Sequence, residues 1–139
     1  MAYENFEHKA DIGIRGRGKS MEIAFEEAAK AMFNVEVDVE KVKPSKQVKI
    51  AVEADNIEEL LVEWLNALLS QASLQSMVFS KFKVKIINGR NVKLKGLAKG
   101  EKLDVIRHNV KDEVKGATYS QLKVYKTKGV WIAQCIVDV

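Results

Sequence analysis

Several things are scarce in this chain of 139 residues, which holds one cysteine, one proline and two histidines. One cysteine closes no internal disulfide, and two histidines with one cysteine assemble no zinc set unaided. Cys135 stands inside the apolar run VWIAQCIVDV, with nothing beside it to activate a thiolate. It therefore reads as a core residue and not a nucleophile. No apolar stretch approaches the roughly 20 residues that span a bilayer, so no membrane partner is expected. The opening residues, MAYENFEHK, lack the apolar centre of a signal peptide, which makes the cytoplasm the expected location.

What is present suits one compact domain over residues 1–139. Hydrophobic residues make up 47% and charged residues 30%, enough for a core without cross-links. The net charge of +4 permits an anionic partner without demanding one. Its distribution is uneven: Lys81, Lys83, Lys85, Arg90, Lys93, Lys95 and Lys99 stand between Ser80 and Gly100, with no acid among them. Direct RNA contact through this Lys81–Lys99 hairpin is one reading. Outward lysines also guard a sheet against edge-to-edge aggregation, and Phe79 and Phe82 are too few for a stacking platform. Both readings stay open.

Periodicity gives the order βαβα followed by four strands. Tyr3–Glu7 and Ile12–Arg17 read as strands. Ser20 can cap a helix reaching about Asn34, with Phe25, Ala28, Ala29 and Met32 on one face. QVKIAVE alternates strictly, turning Val48, Ile50 and Val52 inward. A second helix opens at Asp55 with Glu58 three residues on, in a capping-box pattern. It carries Ile57, Leu60, Leu61, Trp64, Leu65, Leu68 and Leu69 at spacings of three and four. Phe82, Val84 and Ile86 alternate with lysines, and Asn88–Gly89 predicts a type I′ hairpin returning through Val92 and Leu94. A polar loop follows, and the last two segments turn at Lys128–Gly129. The pattern is α+β, two helices packed on a mostly antiparallel sheet in a single domain.

The stretch His8–Gly18, HKADIGIRGRG, poses the functional question. Its glycine spacing is neither the dinucleotide fingerprint nor a P-loop, and no Lys-Ser/Thr pair follows. Crowding in a strand explains the glycines as well as weak anion binding does. Asp11 interrupts apolar-leaning segments, and Asp138 ends a strand apolar on both faces, as a central strand is. Should the two ends of the chain meet, Asp11, Asp138 and the terminal Val139 carboxylate would converge and need a cation or a raised pKa. All-oxygen ligands favour a hard cation. Periodicity alone also allows Asp11 to cap a turn and Asp138 to be a solvated end. His8 and His108 are expected to make surface hydrogen bonds.

Five blocks in order, HKADIGIRGRG, EIAFEEAAKAMF, GEKLD, EVKGATYSQLKV and IVDV, together resemble the archease family over almost the whole chain. The resemblance implies a small α+β protein that assists the RtcB-type RNA ligase in tRNA splicing. Such a protein promotes guanylylation of the ligase and multiple turnover without joining RNA itself. It also implies a metal site, carried over to Asp11 and Asp138 with a contribution from Val139. The cation expected is divalent, calcium before magnesium or manganese. Asp38 matches a further family acid, and Lys115 and His8 are additional candidates for the site or a partner contact. Lys9, Gly116 and Ser120 depart from the usual family residues. Lys9 adds a positive charge beside the proposed metal, and Ser120 argues against any catalytic role for itself or Tyr119. Alternatives are an RNA-binding or chaperone-like modulator of proteins such as tRNA methyltransferases, and, further off, a metal-dependent hydrolase drafting His8 and Arg15.

Overall fold

The computed structural model describes residues 2–8 and 11–139. Its elements run β1 (Ala2–His8), β2 (Asp11–Gly18), α1 (Met21–Glu36), β3 (Lys46–Ala54), α2 (Ile57–Gln75), β4 (Met77–Ile87), β5 (Val92–Lys102), β6 (Gly116–Ala117), β7 (Lys123–Thr127) and β8 (Val130–Asp138). The α+β class is as expected. The strands divide between two antiparallel sheets, one ordered β1-β2-β8-β6 with β7 also on β8, the other β3-β5-β4.

Each helix touches both sheets. α1 packs on β2 and β4, and α2 packs on β3 and reaches β6. The helices are joined where Trp64 Nε1 donates to the Phe25 carbonyl at 3.1 Å, inside the core. Trp64 is fully buried and lies so close to β5 that a Cβ on Gly96 would sit 2.6 Å from its ring. Phe82 of β4 meets Trp64 edge-on and stacks near Phe33 of α1. One apolar cluster therefore runs from sheet to sheet through both helices.

Local chemistry sets the boundaries. Ser20 Oγ accepts the Ile23 N–H at 3.2 Å and starts α1. α2 is capped by Asn56, whose side chain accepts the Glu59 N–H at 2.9 Å, and not by Asp55. The same three-residue spacing operates one position later, which leaves the Leu60–Leu61–Trp64 stripe unchanged.

The β4–β5 turn also differs from expectation. Ile87 and Val92 bound a four-residue loop, and Gly129 is the only glycine with positive φ among the described residues. A two-residue turn at Asn88–Gly89 would set Lys85 opposite Val92 and drive charge toward the helices. The observed register pairs Ile86 with Leu94 and Val84 with Gly96, so the apolar pattern overrides turn chemistry. The primed geometry occurs instead at Lys128 and Gly129, with φ of 50° and 78°, between the paired residues Thr127 and Val130.

Candidate functional site

β8 is central: β2 lies along one edge, and β6 and β7 share the other. Its residues Ala133, Cys135 and Val137 enter the core, which is why the sequence there is apolar on both faces. Burial pushes the Cys135 thiol up to about 12, so it stays protonated and unreactive.

The β2–β8 ladder brings the two ends of the chain together. Its last pair is Ile12 with Val137, and one residue beyond lie Asp11 and Asp138. The pleat then decides their direction. Arg15 Nε donates to Gln134 Oε1 at 2.8 Å, so these paired residues share the outer face. Asp11 stands four residues before Arg15 and Asp138 four after Gln134, which places both on that same face. Asp138 is exposed and Asp11 half-buried. The Lys115 N–H donates to the Asp138 carbonyl at 2.7 Å, and Gly116 pairs with Asp138, so the strand end is held from its other side.

The glycines of GIRGRG have a packing explanation. A Cβ on Gly16 would overlap the Ala24 carbonyl oxygen and the Ala28 nitrogen of α1, and one on Gly13 would overlap the Phe6 ring. α1 occupies the space a phosphate would need. The stretch is a strand pressed against a helix, not an anion cradle.

The other candidate residues fall in different places. His8 pairs with Asp11 in the β1–β2 ladder, while its side chain and all of Lys9 lie outside the described residues. Asp38 follows α1; its N–H donates to the His108 carbonyl at 2.8 Å, and its carboxylate pairs with Lys41 at 3.9 Å. It is tied to the segment after β5 and has no contact with Asp11 or Asp138 among those found for the described residues. Tyr119 and Ser120 are exposed in the turn before β7.

His108 overturns the expectation of a surface histidine, being fully buried. Its Nδ1 accepts the Asp104 N–H at 2.9 Å, and its Nε2 lies 2.9 Å from Glu101 Oε2. Arg107 and the Lys43 N–H also donate to that carboxylate oxygen, each at 2.8 Å. These donors, Arg107 foremost, hold the Glu101 carboxyl well below the usual carboxylate range. The result is a clamp at the start of residues 103–115, the strap that leads into β6.

Glu36 fastens the far end, accepting the Val114 N–H at 3.1 Å, and burial raises its pKa. Between the strap and the last turns of α2 opens a cleft of about 1050 Å³, lined by Asn66, Leu69, Ser73, Val110 and Lys115 among others. It does not include Asp11 or Asp138. Sequence reasoning missed Glu101 and Glu36 and misplaced His108 at the surface, because their partners lie far away in sequence or inside an aperiodic loop.

Residues 3–139 match the model of the Archease protein family (MTH1598/TM1083). A protein named archease from Pyrococcus abyssi is 44% identical over 139 residues, covering 99% of this chain and 98% of the relative. One from Methanosarcina mazei is 41% identical, covering 99% and 95%. The solution structure of Methanobacterium thermoautotrophicum protein 1598 superposes with a TM-score of 0.86 at 32% identity, covering 99% of both chains. The crystal structure of an archease from Thermotoga maritima, described as a possible chaperone, has the same fold at a TM-score of 0.62 and 20% identity, covering 98% of this chain and 96% of that one. The chain belongs to the archease family.

Proposed function

We propose that this protein is a metal-binding, non-catalytic activator of an RtcB-type RNA ligase in tRNA processing, promoting guanylylation of the ligase and its multiple turnover. The observation that supports this most is the placement of Asp11 and Asp138, one step past the last β2–β8 pair and on one outer face. Two carboxylates on adjacent strands repel unless a cation lies between them.

The donor chemistry fits a hard divalent cation, calcium first and magnesium or manganese next. Asp11 and Asp138 would hold it, helped by a backbone oxygen of Val139. Among the described residues no group of three or more His, Cys, Asp or Glu side chains gathers to enclose a metal. Such a shell leaves positions for water or for an oxygen of the partner, as suits an ion shared with a nucleotide-transferring enzyme. When bound, the cation would supply electrostatic stabilisation to phosphate oxygens at the ligase.

The chain's own part is positional. β8 is fixed on both edges, and the Lys115 N–H holds the Asp138 backbone. Lys115, exposed beside the acids, is the residue best placed to touch the partner.

The test is RNA ligation by the same organism's ligase, kept limiting relative to RNA, with the divalent metal varied. Addition of this protein should convert one turnover into many, and Asp11→Ala or Asp138→Ala should abolish the gain. Unchanged turnover with the parent protein would remove the activator reading.

A further inference from the structure

The outer face of the β3-β5-β4 sheet carries an arrangement of charge that the fold does not need. From Lys81 to Lys85 on β4 and from Lys93 to Lys99 on β5, lysines occupy every outward position except Leu97. The register sets Lys81 directly opposite Lys99 and Lys85 directly opposite Lys95. Lys49 of β3 stands opposite Leu97, which extends the basic surface onto the third strand. Like charges directly opposite on a sheet destabilise it. None of these lysines comes within ion-pair distance of an acid among the described residues, although Lys83 is near enough to Glu26 to favour its charged form. Glu53 stands opposite Lys93 without pairing to it, and Glu101, beyond Lys99 on the same face, is taken up by Arg107 and His108.

We infer that this sheet face binds the phosphate backbone of RNA, independently of base sequence. The spacing matches such a ligand. Alternate residues on a strand are about 6.8 Å apart and neighbouring strands about 4.8 Å, giving rows of charge at intervals close to those of successive phosphates. Among the described residues the large apolar side chains between these lysines are Leu97 and Ile87, so the face offers neither an aromatic stacking platform nor a wedge for lipid. Lysine makes point-charge contacts and not the bidentate fork with which arginine reads guanine. Contact with phosphates and not with bases follows. The choice of RNA over DNA rests on the proposed role beside an RNA ligase; the charge arrangement does not.

The face is separate from the acidic end. It lies on the other sheet, so one copy can hold RNA while presenting Asp11 and Asp138 elsewhere.

The experiment is fluorescence anisotropy of a labelled tRNA with the isolated chain, with no ligase present, across about 50–200 mM salt. The parent should bind with affinity that falls steeply as salt rises. The double variant Lys85→Ala/Lys95→Ala should bind at least ten-fold more weakly at the lowest salt, and its log–log salt slope should be shallower by nearly two. That variant removes one repulsive pair, so it should melt no lower than the parent. Lys123→Ala/Lys126→Ala, the same loss of charge on the other sheet, should bind like the parent. Equal loss in both double variants would reduce the effect to net charge and overturn the inference. So would undetectable binding by the parent, or displacement of RNA by polyglutamate at equal charge, which would assign the face to an acidic protein. The ligase assay decides the activator reading separately, since Asp11→Ala should leave RNA binding intact.

Discussion

The two sheets each set like charges against one another, with opposite sign. On the five-stranded sheet, Asp11 and Asp138 stand one residue past the last β2–β8 pair, on one face. On the three-stranded sheet, Lys81 faces Lys99 and Lys85 faces Lys95. The acids sit at the end of a central strand held along both edges, where repulsion is confined to one point. The lysines repeat along strands whose outer face has no cover. A point repulsion calls for a single small cation, and a repeated one for a polyanion. On the proposed readings both arrangements should cost stability in the free protein, and a counter-ion should return it.

The largest expected effect is loss of both regions at once. Trp64 joins the helices and lies against Gly96, directly behind the lysine face. Trp64→Ala should destabilise by about 3–5 kcal/mol, seen as one cooperative shift in a urea melt. Loss of the lysine sheet alone would break the picture of a single core.

A smaller effect separates the regions. Glu101→Gln loosens the clamp on the strap that leads to Asp138. Because Arg107 is 40% exposed, the cost should be about 1 kcal/mol. The Glu101 pKa is lowered on folding, so its contribution is complete above the ordinary glutamate range and is lost as pH falls through the lowered value. Parent and variant should thus differ at pH 7 and converge in strong acid. Hydrogen exchange should quicken in residues 103–117 and remain unchanged in β4 and β5.

The smallest effect has the opposite sign. Lys81→Ala removes one partner of a repelling pair and should raise stability by about 0.5 kcal/mol at low salt, with the gain fading as salt screens the pair. A calorimetric melt at two ionic strengths reads both.

Much of this architecture was legible in the sequence, in a graded way. The α2 stripe and the Ser20 cap are local, and periodicity states them directly. The Asn88–Gly89 pair misled because turn chemistry is local whereas register answers to the whole apolar face: Ile86 against Leu94 outweighed it. His108 looked like a surface residue because the strap has no period, and its partner Glu101 belongs to the preceding strand. The acid pair was the hardest. Asp11 and Asp138 are named by the family resemblance, but their adjacency is a pairing of strands from opposite ends of the chain, which no window of sequence contains. Conversely, the alternating lysines were visible at once, while the direct opposition of Lys81 with Lys99 needed the register.

The acid pair on β2 and β8 is proposed to hold a divalent cation. Thermal melts of the parent, Asp11→Asn and Asp138→Asn, each in chelator and in calcium at about 100 times its dissociation constant, test it most directly. The parent should gain about 2.7 kcal/mol from calcium; both variants should gain almost nothing and match or exceed the parent in chelator, since a repulsion has been removed. An equal calcium gain in all three proteins, or a loss in the variants that is the same with and without metal, would contradict the account.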